Sequence, residues 1–318
     1  MHPRLRNSVA KKQDSSDSRR HHEERKASTE RNSPVSSKAP VPDRAEHNAY
    51  FPSEYSLARY VPARTDFDGA VHEPIMSGPR KILMIATDER YLPLKNGRFF
   101  STGNHPVEML VPMMHLAAAG YDFDIATLSG NMVKLELWGL PPEDTAVIAA
   151  HNRYLPQLDA PMRLADVVES NLGPDSPYAA VFIPGGHGAT VRIPHSSAVK
   201  DVLDWALANE IFIVSLCHGP AALLAATDAA GENSFKGYRV CVFPDSLDHG
   251  RNREIGYLPG EMKWLVAEEL KASGITVIND DMTGQVHQDR RLLTGDSPLA
   301  SNALGRLAVK ALREAHPS

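Results

Sequence analysis

Cysteine is scarce in this chain of 318 residues, which contains only Cys217 and Cys241. Two thiols are too few for a disulfide framework, so the composition indicates a reducing compartment and predicts a cytoplasmic protein. The sequence also lacks a run of about 18 or more apolar residues and the N-terminal apolar segment that a secretory signal needs. We therefore expect no membrane span and no membrane partner. The 42% of hydrophobic residues predicts a globular protein with a substantial core.

A strong net charge is also missing, since the whole chain carries only -5 at pH 7. Residues 1–45 contain 11 Lys or Arg against 6 Asp or Glu, which leaves the remainder mildly acidic. An acidic body excludes a globally basic nucleic-acid binder, and we expect no specific nucleic-acid site.

Residues 1–45 lack aromatic residues and any sustained apolar period, and they are rich in Ser, Lys, Arg and Glu. Such a segment cannot bury a core, so we predict a disordered polar tail before an α/β domain over 46–318. A mitochondrial transit peptide is the alternative, but those are poor in acidic residues, and Asp14, Asp17 and Glu23 argue against it.

Strand and helix signals alternate along the rest of the chain. The predicted strands are KILMIATD (81–88), YDFDIATLSG (121–130), AAVFIPGG (179–186), IFIVSL (211–216), YRVCVF (238–243) and ITVIND (275–280). The predicted helices are 105–120, 196–210, the segment after Cys217, 261–274 and 297–315, the last with Ser297 as N-cap.

This alternation predicts βαβ units and a mostly parallel sheet with helices on both faces. Residues 283–295 are typical of a hairpin. The Pro-rich segment 131–178 breaks the rhythm and predicts an inserted subdomain.

Cys217 directly follows an apolar strand and precedes His218 and the helix-opening pair Gly219 and Pro220. In parallel sheets, functional residues usually lie at the carboxyl ends of the strands. The positive end of a following helix also favours the thiolate form of a cysteine placed there. The pattern predicts a nucleophile elbow that carries cysteine in place of serine. The alternative, a small buried hydrophobic residue, suits Cys241 better because it lies in the middle of an apolar strand.

The motif PGGHG (184–188) also ends an apolar strand. Gly185 and Gly186 allow backbone N–H groups to approach a ligand, as in an oxyanion hole, although a plain turn is the alternative. His187 belongs to the same motif, and we group it with these substrate-binding candidates.

Acidic residues follow two other strands. Glu108 begins the first helix after the first strand and could shuttle protons beside a thiol, or it could simply complement the helix dipole. Asp245 and Asp248, in FPDSLDHG, could orient a histidine, and a turn-forming Asp is the alternative.

Several motifs together resemble the HchA-type members of the ThiJ/PfpI superfamily, from about Ala49 to the C-terminus. The motifs are DERYLP (88–93), STGNHPVE (101–108), FIPGGHGA (182–189), SLCHGPAALLA (215–225), EIGYLPG (254–260) and LLTGDSP (292–298). The resemblance implies a flavodoxin-like α/β sandwich with a smaller cap domain, assembled as a homodimer.

The resemblance also implies a site. It makes Cys217 the nucleophile, with His218 and Asp248 as triad partners, Glu108 as the acid beside the thiol, and Gly185 and Gly186 as oxyanion-binding glycines. Family members are described as glutathione-independent glyoxalases, as deglycases of proteins and nucleotides, and as heat-inducible holding chaperones. No cofactor is implied for this chemistry.

Zinc-bearing members of the group present two histidines and a carboxylate, and the matching positions here are Ala117, Asp122 and Tyr154. Only Asp122 keeps a ligand of that type. His115 and His151 lie nearby, but a displacement of two residues on a helix rotates a side chain by roughly 200°, onto another face. We therefore do not expect zinc at this place.

Three functions remain open from the sequence. The first is a cofactor-independent enzyme that converts methylglyoxal or glyoxal and removes their adducts from proteins or nucleotides. The second is a cysteine amidase or aminopeptidase, because Cys, His and Asp also suit acyl transfer. The third is a holding chaperone for unfolded client proteins. Because neighbouring side chains in a turn usually diverge, we favour Glu108 over His218 as the proton shuttle.

Overall fold

The computed structural model describes residues 36–75, 77–173 and 175–316. The β-strands are Val41–Pro42 (β1), Ala49–Phe51 (β2), Lys81–Ile85 (β3), Tyr91–Pro93 (β4), Phe99–Ser101 (β5), Asp122–Thr127 (β6), Met162–Arg163 (β7), Tyr178–Ile183 (β8), Phe212–Leu216 (β9), Arg239–Val240 (β10), Thr276–Val277 (β11), Val286–Asp289 (β12) and Leu292–Gly295 (β13). The α-helices are Glu54–Tyr60 (α1), Pro106–Ala118 (α2), Thr145–Asp159 (α3), Leu164–Asn171 (α4), Ser197–Ala208 (α5), Asn252–Glu254 (α6), Val266–Ala272 (α7) and Ser301–Ala315 (α8).

The main sheet has seven strands in the order β12-β13-β9-β8-β3-β6-β7. Every neighbouring pair in it is parallel except β12 and β13, which form the predicted hairpin. Its central strands β8 and β9 are buried along their whole length, because helices cover both faces and the strands carry almost only apolar residues. The prediction of a mostly parallel α/β sheet is confirmed.

Two apolar clusters fill the space between this sheet and its helices. One face packs against α2, α3 and α8, and the other against α4, α5 and α7. None of the described helices is long and apolar enough to cross a membrane.

A smaller sheet of four strands, in the order β1-β2-β5-β4, belongs to the same compact unit, Ser37–Ser318. A separate apolar cluster lies with it, and its members include Leu92, Phe100, Tyr257 and Met262. This sheet is the smaller part of the fold, and it is built from residues that lie outside the segment we expected to form it.

Residues 131–178, where we expected an inserted subdomain, contribute elements to the main sheet and its core. In this segment α3 packs on the main core through residues such as Val147 and Leu158, and β7 extends the main sheet beside β6. Pro156, one of the prolines that broke the sequence rhythm, lies within α3. The segment also reaches Tyr178, the first residue of the buried strand β8.

The boundary of the predicted tail also shifts. Residues 1–35 lie outside the described residues, but Val41–Pro42 already form β1. Asp43 is buried and accepts a hydrogen bond of 2.7 Å from Ser101 Oγ, which ties this segment to β5. Residues 41–43 of the predicted tail are therefore part of the folded domain.

Three predicted elements differ in detail. The run 238–243 contributes only β10, which pairs with β11 in a sheet of its own. The segment after Cys217 is a 3-10 helix over Gly219–Ala226. Before α8, Pro298–Ala300 form a 3-10 turn, and Ser297 makes no side-chain cap because its Oγ donates to Asp296.

Candidate active site

Cys217 lies at a strained turn between β9 and the following 3-10 helix. Its φ of 58° is in the left-handed region, which a residue with a side chain occupies at a cost of about 1–3 kcal/mol. Two backbone hydrogen bonds of 2.9 Å hold it there, one from its N–H to Gly295 O and one from Phe243 N–H to its carbonyl. Strain maintained in this way is characteristic of a nucleophile elbow.

The turn places the side chains of Cys217, His218 and Asp248 in one chain of hydrogen bonds. His218 Nδ1 lies 3.2 Å from Cys217 Sγ, and His218 Nε2 lies 2.7 Å from Asp248 Oδ2. Asn252 Nδ2 donates to Asp248 Oδ1 at 2.7 Å and so fixes the carboxylate. Although they are adjacent in sequence, Cys217 and His218 converge, and the left-handed backbone of Cys217 is the difference from an ordinary turn.

His187 contacts the same carboxylate from the other side. Its Nε2 lies 3.0 Å from Asp248 Oδ1, and its ring centroid is 3.9 Å from that of His218. We had grouped His187 with the oxyanion glycines, but the structure places its side chain next to the triad. One aspartate therefore serves two buried imidazoles.

The charges in this group follow from burial and mutual contact. Burial opposes ionisation of Asp248, but His187 and His218 outweigh it and hold the pKa of Asp248 below its usual range. Burial and the neighbouring His187 lower the pKa of His218 to about 4, against the pull of Asp248. Burial also disfavours charge on His187, yet Asp248 and Glu136 raise its pKa. His218 is therefore neutral near pH 7 and able to accept a proton.

Glu108, in the first turn of α2, is fully buried, and its carboxyl lies beside the Cys217 thiol. Burial raises the pKa of Glu108, and contact with Cys217 opposes that rise. Burial and the Glu108 carboxyl together raise the pKa of the Cys217 thiol, which is the opposite of the effect expected from a helix dipole. Two buried acids in contact do not both ionise, so the pair keeps at least one proton.

Gly185 and Gly186 allow the loop after β8 to approach this pair. A Cβ at Gly185 would lie 2.0 Å from Glu108 Oε2 and 2.7 Å from Cys217 Cβ. Gly186 has a φ of 101°, and a Cβ there would lie 2.4 Å from Gly103 O. Only glycine fits at either position.

A cavity of about 70 Å³ opens beside the thiol. The cavity is lined in part by residues that the sequence patterns did not single out, namely His105, Glu136, Trp138, Phe243 and Tyr257. At about 10–15 Å³ for each water-sized group, the cavity holds roughly five such groups. It therefore suits a molecule of a few heavy atoms, or the modified end of a larger one.

The residues at the family's zinc positions do not provide a ligand set. Asp122 and Tyr154 share a surface groove with Lys81 and Arg153, whose positive charges oppose a cation, and Ala117 has no ligand atom. The histidines near these positions do not replace the missing ligands. His115 Nδ1 and Nε2 bond to His72 and Asn302 at 2.9 and 2.7 Å, and His151 is only half-buried on α3, where it contacts Asn152.

Within the described residues, His187, His218 and Asp248 form the one group whose ligand atoms lie close enough together to hold a metal ion. The Nε2 atoms of both histidines already bond to the aspartate, so the geometry is that of a hydrogen-bonded network.

Known proteins show clear similarity to this chain. A model described as the DJ-1/PfpI family matches residues 99–244. The chain is 59% identical over 281 residues to the protein/nucleic acid deglycase HchA of Pseudomonas aeruginosa (strain UCBPP-PA14), with 88% of this chain and 97% of that protein covered. The protein of the same name from Staphylococcus aureus (strain MSSA476) is 59% identical over 280 residues, covering 88% and 96%.

A solved structure of glyoxalase III from Candida albicans superposes with a TM-score of 0.58. It is 20% identical and covers 73% of this chain and 97% of that chain, which shows a shared fold.

Proposed function

This chain belongs to the DJ-1/PfpI family, and on that premise we propose that it is a cysteine enzyme that converts methylglyoxal to lactate and removes early glycation adducts from proteins and nucleotides. Glyoxal fits the same site, and the chemistry requires neither glutathione nor a cofactor. The observation that carries the proposal is the Cys217 thiol, held at a left-handed turn between Glu108 and the His218–Asp248 pair inside a small cavity. The close relatives named protein/nucleic acid deglycase support it.

The first step is addition of sulfur to the aldehyde carbon, C1. Burial raises the pKa of both Cys217 and Glu108, so the reactive form is a minor one, in which Cys217 has lost its proton and lies as a thiolate beside the neutral Glu108 acid. Sulfur forms a bond to C1, and the carbonyl oxygen becomes an oxyanion beside the N–H groups of the Gly185–Gly186 loop. Glu108 then gives its proton to that oxygen, which leaves a hemithioacetal and a carboxylate.

The second step moves hydrogen between carbons. The Glu108 carboxylate removes the C1 hydrogen to form an enediol and then returns the proton to the neighbouring carbon, C2. The product is a lactoyl thioester on Cys217. Water attacks the thioester carbonyl carbon with His218 as the base, the carbon–sulfur bond breaks to return the thiolate, and lactate leaves. Of the two protons that the water supplies, one restores neutral Glu108 and the other passes from His218 to solvent.

Early glycation adducts carry the same reactive carbon. In an aminocarbinol formed from Lys or Arg, the Cys217 sulfur bonds to that carbon while the carbon–nitrogen bond breaks, and the amine leaves with a proton from the pair. The resulting hemithioacetal then follows the same route to lactate.

The test is lactate formation from methylglyoxal without glutathione. We expect turnover by the wild type and by Cys241→Ala, and none above background by Cys217→Ala. Cys241 is the matched control because it is fully buried elsewhere, its N–H donates to Thr294 Oγ1, and burial raises the pKa of its thiol to about 12. Turnover retained in Cys217→Ala contradicts the proposal.

A cysteine aminopeptidase or amidase is the second candidate, favoured by the continuous Cys217–His218–Asp248 chain of hydrogen bonds. Release of amino acids from short peptides, lost in Cys217→Ala, would support it. The cavity of about 70 Å³ favours small aldehydes over peptide segments.

The homodimer, the cytoplasmic location and the holding-chaperone activity stay predictions. Suppression of a client's thermal aggregation by the Cys217→Ala protein would place the chaperone activity outside this site, and loss of suppression in that variant would place it within the site.

A further inference from the structure

The proposed isomerisation needs a second proton carrier. When C1 loses its hydrogen, the C2 oxygen must gain a proton for the enediol to form, and when C2 is protonated, the C1 oxygen must lose one. Glu108 carries only the proton that moves between the carbons. Another group in the cavity must therefore serve the oxygens.

Unpartnered polar atoms in the described structure concentrate at this cavity. Nine buried side-chain nitrogen or oxygen atoms lack a hydrogen-bond partner, and five of them belong to residues that line it. These five are His105 Nδ1, Glu136 Oε2, Trp138 Nε1 and the two oxygens of Glu108, whose carboxyl lies beside the Cys217 thiol. Buried polar groups are almost always paired, so such a concentration indicates a polar ligand.

Glu136 is the cavity residue with the geometry of a fixed acid. It is fully buried, and its Oε1 accepts hydrogen bonds from Thr102 Oγ1 at 2.5 Å and from the His187 N–H at 3.3 Å. With Oε1 occupied, the proton of the acid form belongs on Oε2. Burial raises the pKa of Glu136, against the nearby charge of His187, so the acid form persists toward neutral pH.

We propose that Glu136 is a second catalytic acid, which donates the proton on Oε2 to the C2 oxygen of a bound α-oxoaldehyde. The Trp138 Nε1–H, also unpartnered, donates a hydrogen bond to the same oxygen. This inference rests on the proposed function and deepens it.

Each proton that moves in this isomerisation has a donor and an acceptor. Glu136 gives a proton to the C2 oxygen as Glu108 takes the C1 hydrogen. When Glu108 returns that hydrogen to C2, the Glu136 carboxylate takes the proton of the C1 hydroxyl, and C1 becomes the thioester carbonyl. Glu136 ends protonated, as it began. Because the role requires an oxygen on the carbon next to the aldehyde, the site selects α-oxoaldehydes over simple aldehydes.

The first test separates proton transfer from contact. Glutamine at this position keeps the acceptor and a hydrogen-bond donor but has no proton to transfer, so Glu136→Gln should lower kcat for lactate by about 10²-fold or more with little change in KM. The wild-type kcat should fall as pH rises through the raised pKa of Glu136, and Glu136→Gln should lack that limb. Glu143→Gln, an exposed residue paired with Arg64, is the matched control and should behave as wild type.

The second test does not depend on turnover. Hydroxyacetone carries the C2 oxygen but no aldehyde, and we expect it to protect Cys217 from alkylation by iodoacetamide in the wild type. Glu136→Ala removes the contact, so about tenfold more hydroxyacetone should be needed for the same protection. The alkylation rate without hydroxyacetone and the Tm check that the variant is folded.

Equal protection in wild type and Glu136→Ala, or lactate formation by Glu136→Gln at the wild-type rate, overturns the proposal. If the wild type forms no lactate, the proposed function fails, and the protection assay still decides whether Glu136 contacts the C2 oxygen.

Discussion

Two buried histidine clusters in this molecule differ in one respect, which is whether their polar atoms are all paired. In the cluster between α2 and α8, His115 bonds to His72 through one ring nitrogen and to Asn302 through the other, and Asn302 Nδ2 donates to Asp66 O at 2.9 Å. At the cavity, His105, Glu108, Glu136 and Trp138 keep unpartnered atoms.

The difference separates structural from chemical roles. A paired network stabilises one conformation, whereas unpaired buried groups destabilise the fold and persist only where something else requires them. The strained backbone of Cys217 lies at the second cluster and strengthens the same conclusion. Changes at the cavity should therefore alter activity, and changes at the His115 cluster should alter stability.

Among variants that keep Cys217, the largest effect is expected from Asp248→Asn. The substitution removes the carboxylate that both His218 and His187 contact, so the charge and orientation of both imidazoles change. Lactate formation should fall by about 10²–10⁴-fold. The folded state is checked by circular dichroism, and an activity within tenfold of wild type would show that the triad is not used.

Gly185→Ala should have the next largest effect. Its Cβ would overlap Glu108 Oε2, so the carboxyl group must leave its place beside the thiol. We expect kcat to fall by about 10²-fold, the effect of misplacing a catalytic group by about 1 Å. Gly173→Ala is the control because nothing lies within 4 Å of its Cβ position. Equal activity in the two variants would remove Glu108 from the mechanism.

His115→Leu should lower stability and leave activity unchanged, whereas the two cavity variants lower activity. Asn302 Oδ1 and His72 lose their partner, which costs about 1–3 kcal/mol of unfolding free energy. Urea denaturation measures this loss, and kcat per folded molecule should equal that of the wild type. A fall in kcat without a fall in stability would contradict the contrast between the clusters.

The smallest effect concerns pH. Burial lowers the pKa of both His72 and His115 in the folded protein, so the unfolded chain binds more protons below about pH 6.5 and stability falls as the pH falls through that range. Asp68 and Arg306 also face this cluster. His115→Leu should lose less stability than the wild type between pH 7 and pH 5, and equal losses would show that His115 does not titrate in this range.

Topology explains which site residues could be predicted. Cys217, Gly185 and Asp248 each lie shortly after an apolar strand or strand-like run, so a parallel sheet brings them to one edge. Glu108 could be placed at the same edge because its helix is the first helix after β3 along the chain. The alternation of apolar strands and helices can be seen in the sequence, so the positions of these residues at the sheet edge could be predicted. The structure brings them together there.

The other cavity residues could not be predicted because they follow no period. Glu136 precedes the 3-10 turn Leu137–Gly139 and Trp138 lies within it, and Tyr257 packs in the apolar cluster beside the smaller sheet. The left-handed backbone of Cys217 is also invisible in residue types, and with it the convergence of His218 on the thiol. The expectation of an inserted subdomain in residues 131–178 rests on prolines interpreted as breaks, and one of them, Pro156, lies within α3.

The central claim is that Cys217 is the residue that bonds to the substrate carbon. The most direct test is acid quenching of the wild-type enzyme during methylglyoxal turnover, followed by peptide mass spectrometry. We expect a lactoyl thioester on the peptide that contains Cys217 and none on the peptide that contains Cys241. Lactate formed at a steady rate with Cys217 never acylated would contradict the account.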